Sequence, residues 1–143
     1  MNDRSDIVIE SISGLLVSHA WRGHGSAIFI EVGQLVKTKS QNNPQGQFSI
    51  MLDCGWRIED LNKILCGSSN TSAEIEISIS SLVGEKVLSI ESVGALPEIV
   101  ITFASGKRVL SFTSIVGQPE WAICTPNEGW ISSDHGAIVR NQA

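Results

Sequence analysis

The sequence contains no tyrosine, and its aromatic residues make up only 6% of the chain. Surfaces that engage partners through aromatic contacts favour Tyr and Trp. The absence of Tyr therefore assigns packing roles first to the four tryptophans, Trp21, Trp56, Trp121 and Trp130. Cysteine is scarce as well. Cys54, Cys66 and Cys124 are odd in number and widely spaced, which suits reduced, buried thiols better than a disulfide framework. Positive charge is also in short supply, with 10 Lys and Arg against 15 Asp and Glu and a net charge of −5. Nucleic-acid binding draws most of its affinity from cations neutralising phosphates, so no nucleic-acid partner is expected; an acidic surface suits a basic protein partner instead. No stretch approaches the roughly 18–20 apolar residues of a spanning helix, so no membrane association is expected. The opening "MNDRSDIVIE" carries acids where a secretory signal has a basic segment and a long apolar run. The expectation is a cytoplasmic protein.

What is present is a 143-residue chain, 42% hydrophobic, long enough for one domain with a sizeable core. Its apolar pattern repeats. Gly14 precedes Gly84 by 70 positions, and Ile9, Ile12 and Val17 match Ile79, Leu82 and Val87. "AIFIEV" (27–32) then matches "EIVITF" (98–103) at an offset of 71. "FSIMLDCGW" ending at Trp56 matches "WAICTPNEGW" ending at Trp130, so Phe48 pairs with Trp121. The repeats run over about 7–60 and 77–136. Each half predicts strands near 15–20 or 86–92, 27–37 or 98–104, and 47–53 or 120–125, with a last short strand opening at the Trp. Turn signals separate them: "GHGS" (23–26), "NNPQG" (42–46), "ASG" (104–106), "VGQP" (116–119) and "TPNEG" (125–129). The expected fold is mainly β with one or two short helices, arranged as two tandem meander-like repeats in one pseudo-symmetric domain, residues 1–143.

One segment is ambiguous. In "TSAEIEISISSLVG" (71–84), Ile75, Ile77 and Ile79 alternate as on a strand, yet Ile75, Ile79, Leu82 and Val83 share a helical face. Thr71 with Glu74 makes a capping-box pattern and Gly84 a natural stop, which favours a short helix. The corresponding lead-in at 5–13 is then helical too.

Candidate functional residues are few. Arg57, Glu59 and Asp60, with Asp53 across the turn, form the densest charged group, beside Trp56. They read either as a rim ion pair or as a partner-binding patch, since Trp and Arg are favoured interface anchors. "HAWRGHG" (19–25) adds Trp21 and His24, but His19 and His24 are five apart and share neither a strand side nor a helix face, so no metal site is expected. There is no "GxSxG" elbow; Asp134 and His135 are adjacent and diverge on a strand; "GSSN" (67–70) lacks the Lys of a phosphate loop. No cofactor is expected and no catalytic set assembles.

Along "GWRIEDLNKILCGSSN" and "LVGEKVLSIESVGALPEIVITFASGKRVLSFTSIVGQPEWAI" the chain resembles a family of small, uncharacterised bacterial proteins. Their pattern of Trp-Arg-Ile, a Gly-Ser loop, Leu-x-Gly-x-x-Val and Glu-Trp falls here on Trp56, Arg57, Ile58, Gly67, Ser68, Gly84, Val87, Gly106, Glu120 and Trp121, over residues 56–123. Asn70 departs from it, standing where the family tends to have Asp. The resemblance implies a bacterial, cytoplasmic, β-rich protein comparable to immunity or accessory proteins of toxin systems, and implies no catalytic residue.

These readings converge on a non-catalytic interaction module that binds a protein partner or a second copy of itself as a homodimer, with Trp56, Arg57, Glu59, Asp60, Trp21 and His24 as the candidate interaction residues. The alternative is a small-ligand-binding protein or small enzyme with a pocket between the repeats, lined by Trp21, His24, Arg57 and Asp60.

Overall fold

The computed structural model describes residues 9–36, 42–53, 55–117, 120–125, 129–134 and 136–141. Cys54, His135 and parts of the turns expected at 116–119 and 125–129 lie outside the described residues. The chain is mainly β, as its alternating pattern predicts.

Among the described residues, eleven strands form two antiparallel sheets. The first contains β1 (Val17–Arg22), β2 (Ile28–Val32), β3 (Phe48–Leu52), β9 (Trp121–Thr125), β10 (Gly129–Asp134) and β11 (Ala137–Asn141), in that order. The second contains β4 (Trp56–Asp60), β5 (Lys63–Gly67), β6 (Val87–Val93), β7 (Glu98–Phe103) and β8 (Lys107–Ser111), in the order β5-β4-β8-β7-β6. The two halves are thus not laid out as tandem meanders. Each half gives its first three strands to one sheet and its later strands to the other.

Strand alternation sorts the side chains. Ile28, Ile30, Ile50, Leu52, Trp121 and Ile123 of the first sheet face Trp56, Ile58, Val87, Ile101, Phe103 and Val109 of the second in one continuous core. Helices supply the remaining wall. Helix α1 is described over residues 9–12, and α2 spans Ser72–Ser80. The capping box holds as the sequence predicts: Thr71 Oγ1 accepts from Glu74 N (3.2 Å), and Glu74 Oε1 accepts from Thr71 N (3.1 Å). A strand would turn Ile75, Ile77 and Ile79 to one side. On the helix Ile75, Ile79 and Leu82 enter the core while Ile77 faces solvent, and Gly84 ends the segment at φ +94°.

Where the halves meet, their hydrogen bonds are reciprocal. Gly14 N donates to Val87 O (2.7 Å) and Gly84 N to Val17 O (2.8 Å); Val17 N donates to Glu85 O and Val87 N to Leu15 O. Leu16 and Lys86 form the antiparallel bridge at the centre. Both leading hairpins carry an irregularity after their first pair, between Val17 and His19 and between Val87 and Ser89. The connections between sheets also answer each other: Asp53 N donates to Glu120 O and Phe112 N to Gly55 O, each at 2.8 Å. Gly55 is constrained by room, because a Cβ there would overlap the Phe112 carbonyl oxygen.

The pairing of Trp56 with Trp130 does not survive in three dimensions. Trp56 is 2% exposed and its Nε1 donates to Ser26 O (2.7 Å) in the β1–β2 turn. Trp130 is 40% exposed. The residue that shares the environment of Trp56 is Trp121, fully buried, with Nε1 donating to Pro97 O (3.0 Å) in the β6–β7 turn.

Candidate functional site

Strand β4 presents two faces. Trp56 and Ile58 point into the core, so Arg57 and Glu59 necessarily point outward on the second sheet. Glu59 lies between two guanidiniums: Arg57 Nε at 2.6 Å from Oε2 and Arg108 Nη2 at 2.8 Å from Oε1. The hydrogen bond from Arg108 is the main cause holding the Glu59 carboxyl below the ordinary glutamate range; burial opposes it, and Arg57 adds to the lowering. The Arg57 and Arg108 side chains are 38% and 45% exposed, so water still screens the charges and each pair contributes under about 1 kcal/mol. The Arg57 guanidinium also lies over the Phe112 ring, 4.7 Å from its centroid.

Beside this ladder the β4–β5 hairpin closes in two residues, since Asp60 pairs with Lys63. The first turn residue, Leu61, has φ +57°, the only non-glycine among the described residues in the left-handed region, and it is 78% exposed. A surface cavity of about 260 Å³ opens here, lined by Arg57, Glu59, Leu61, Asn62, Lys63 and Ile64. Ile64 and Leu65 on β5 are exposed too, at 61% and 39%. Among the described residues, strand β5 is the sheet's edge, with no strand paired beyond it.

Of the residues singled out in the sequence, Trp56, Arg57, Glu59 and Asp60 are thus gathered on one strand, with Trp56 committed to the core. Trp21 and His24 are elsewhere. Trp21 pairs with Phe29 on the outer face of the first sheet, stacked on it at 4.1 Å between ring centroids, while His24 sits exposed in the β1–β2 turn. Trp21 and Arg57 therefore occupy opposite outer faces of the sandwich, and the four-residue pocket of Trp21, His24, Arg57 and Asp60 is not formed. Among the described residues no cluster of His, Cys, Asp and Glu could hold a metal.

Two buried carboxylates were not foreseen. Glu31 lies on the outer face of β2 yet is covered, accepting hydrogen bonds from Trp21 Nε1 (2.8 Å), Gly46 N (2.9 Å) and Ser49 Oγ (2.9 Å). Burial pushes the thiol of nearby Cys124 up, and the Glu31 charge adds to the effect.

Glu120, at the crossing into β9, is buried without a well-formed hydrogen bond to either carboxylate oxygen. Burial raises its carboxyl above the ordinary glutamate value and the charges of Glu98 and Asp53 add, against the opposing Ser114 amide. A raised carboxyl stabilises the fold fully below the unfolded-chain value, and that stability is lost as pH rises through the folded value. Glu120→Gln is expected to flatten this part of the profile, seen as a smaller fall in the urea midpoint as pH climbs above the glutamate range. An unchanged slope would assign the dependence to another group.

No protein-family model, curated protein or solved structure matches this chain.

Proposed function

We propose that the protein is a non-catalytic interaction module whose binding surface is the β4–β5 hairpin with the Arg57–Glu59–Arg108 ladder beside it. The observation that carries the reading is Leu61. A branched side chain in the left-handed region costs on the order of 1–3 kcal/mol, and a leucine held in water forgoes its burial energy. Asn or Gly would relieve both costs at that turn. Strain retained together with an exposed apolar tip, a cavity and an open sheet edge fits a surface kept for contact. The Arg57 guanidinium, already held by Glu59 and Phe112, would orient the partner. The specific form of this reading is an immunity or accessory protein that occupies a bacterial toxin, for which the net charge of −5 favours a basic target.

The test separates folding from binding. A photo-crosslinking residue placed at position 61 is expected to yield one saturable adduct. Leu61→Asn is expected to match or exceed the wild-type urea midpoint while weakening capture of that same partner at least tenfold. A variant of equal stability that captures the partner as well as the wild type would end the reading.

A further inference from the structure

The two connections between the sheets cross at a cluster of three acids. On the first, from β3 to β4, Asp53 N donates to Glu120 O, and Gly55 O accepts from Phe112 N at the start of the second, the β8–β9 crossover. That crossover is bracketed by carboxylates. Glu98, which opens β7, accepts hydrogen bonds from Ser111 Oγ (2.7 Å), Thr113 N (2.9 Å) and Thr113 Oγ1 (3.1 Å). Glu120, at the far end, is only 4% exposed and has no well-formed bond to either oxygen. Between them Ser114, Ile115, Val116 and Gly117 lie in water. Phe112 reaches back to the candidate site, where its ring meets the Arg57 guanidinium.

We propose that residues 112–117 form a proton-operated latch, closed over the crossing while Glu120 is neutral and lifted when Glu120 ionises, which withdraws Phe112 from Arg57. This rests on the reading of the Arg57 ladder as part of a binding surface and adds its regulation. A neutral acid is buried at modest cost, but a carboxylate in the same place must find partners or water. The described charged groups that act on Glu120 are Asp53, from the β3–β4 connection, and Glu98, from β7, both of them acids. Among the described residues it has no ion pair. The Ser114 amide favours the charge, and burial together with the two acids outweighs it. The layers beneath cannot yield: Trp121 follows Glu120 into the core with Nε1 on Pro97 O, and Trp56 follows Gly55 with Nε1 on Ser26 O. The crossover is exposed and gives up the Phe112 N–Gly55 O bond and the two from Thr113, which places it at the low-stability end of the fold, where local opening occurs. Lifting it moves the Phe112 carbonyl off Gly55, against which it is packed, and carries the ring with it. Low pH thus closes the latch and rising pH opens it.

The test is a pH titration of the full chain followed by nuclear magnetic resonance of its carboxyl carbons, backbone amides and arginine Nε–H groups. The Phe112 and Thr113 amides and Arg57 Nε–H are expected to move with the Glu120 midpoint. Amide exchange at Phe112, corrected for the intrinsic effect of pH, is expected to quicken at least tenfold across it. Glu120→Gln, which keeps the shape of the neutral acid, is expected to abolish these responses. Phe112→Leu is expected to silence Arg57 while Thr113 still responds, and Glu98→Gln to lower the Glu120 midpoint. A Glu120 that ionises while Phe112 and Thr113 stay still overturns the latch, as does an Arg57 response that survives in Glu120→Gln. In the crosslinking assay at position 61, adduct yield is expected to fall at least threefold above the midpoint in the wild type and to hold steady in Glu120→Gln. A wild-type yield equal on both sides overturns the control of binding. Absence of any adduct at every pH removes the binding surface, while the titration, made on the protein alone, still decides the latch.

Discussion

Trp56→Ala is expected to destabilise the protein by about 3–5 kcal/mol, the range for emptying a large aromatic site in a packed core. Two costs add. The indole is buried between the sheets, so its removal leaves a cavity that β8 and β9 cannot collapse into without breaking their own pairings. It also orphans Ser26 O, which loses the 2.7 Å bond that ties the β1–β2 turn to β4. Trp121→Ala is expected to match it, because Trp121 makes the same kind of bond to Pro97 O. Trp130→Ala is expected to cost under about 1 kcal/mol, as an outward, half-exposed ring loses little on truncation. Urea unfolding of the three variants reads this directly. Equal losses at positions 56 and 130 would reinstate the pairing suggested by the two Gly-Trp dipeptides.

Glu31→Ala is expected to cost about 3 kcal/mol or more, despite removing an acid from an acidic protein. Three donors converge on this carboxylate, and hydrogen bonds to a charged group contribute about 1.5–3 kcal/mol each when intact. Their loss would leave Trp21 Nε1, Gly46 N and Ser49 Oγ without an acceptor in a covered place, and would free the residues before β3 from the sheet face. Glu31→Gln, which keeps an acceptor oxygen, is expected to recover part of the loss. The measurement is again the urea midpoint, with faster amide exchange at Gly46 as the local sign. A Glu31→Ala variant within 1 kcal/mol of wild type would show that water replaces the carboxylate freely.

How far the sequence disclosed this fold depended on the length of each signal. Alternation in "AIFIEV" and "EIVITF" placed β2 and β7, and the capping pair of Thr71 and Glu74 with Gly84 placed α2. Strands β5, β8 and β11 escaped. Each is five residues long, β5 and β8 begin on lysine, and β5 runs into a polar loop, so local composition resembles a turn. Missing β8 had a further effect. Without that strand the apolar pattern of β3 falls on β9, its hydrogen-bonded neighbour, and the two Gly-Trp dipeptides match one strand out of step.

The candidate site was half legible. Charge density located Arg57, Glu59 and Asp60, but Arg108, 49 residues from Glu59, enters only through the β4–β8 pairing. Leu61 carried no sequence signal, because its significance lies in a backbone angle. Glu31 could have been suspected: an acid inside the apolar run "AIFIEVG" needs donors if its strand is covered on both faces.

The division of each half between two sheets also bears on how the protein is made. Strand β4 has β5 on one side and β8 on the other, and β8 begins at Lys107. While the chain is being translated, the N-terminal half leaves the ribosome with its second-sheet strands lacking the partner that will align them. Closure awaits residues that emerge about 50 positions later, so a nascent chain holds apolar edges open during synthesis, when chaperones have their longest access to it.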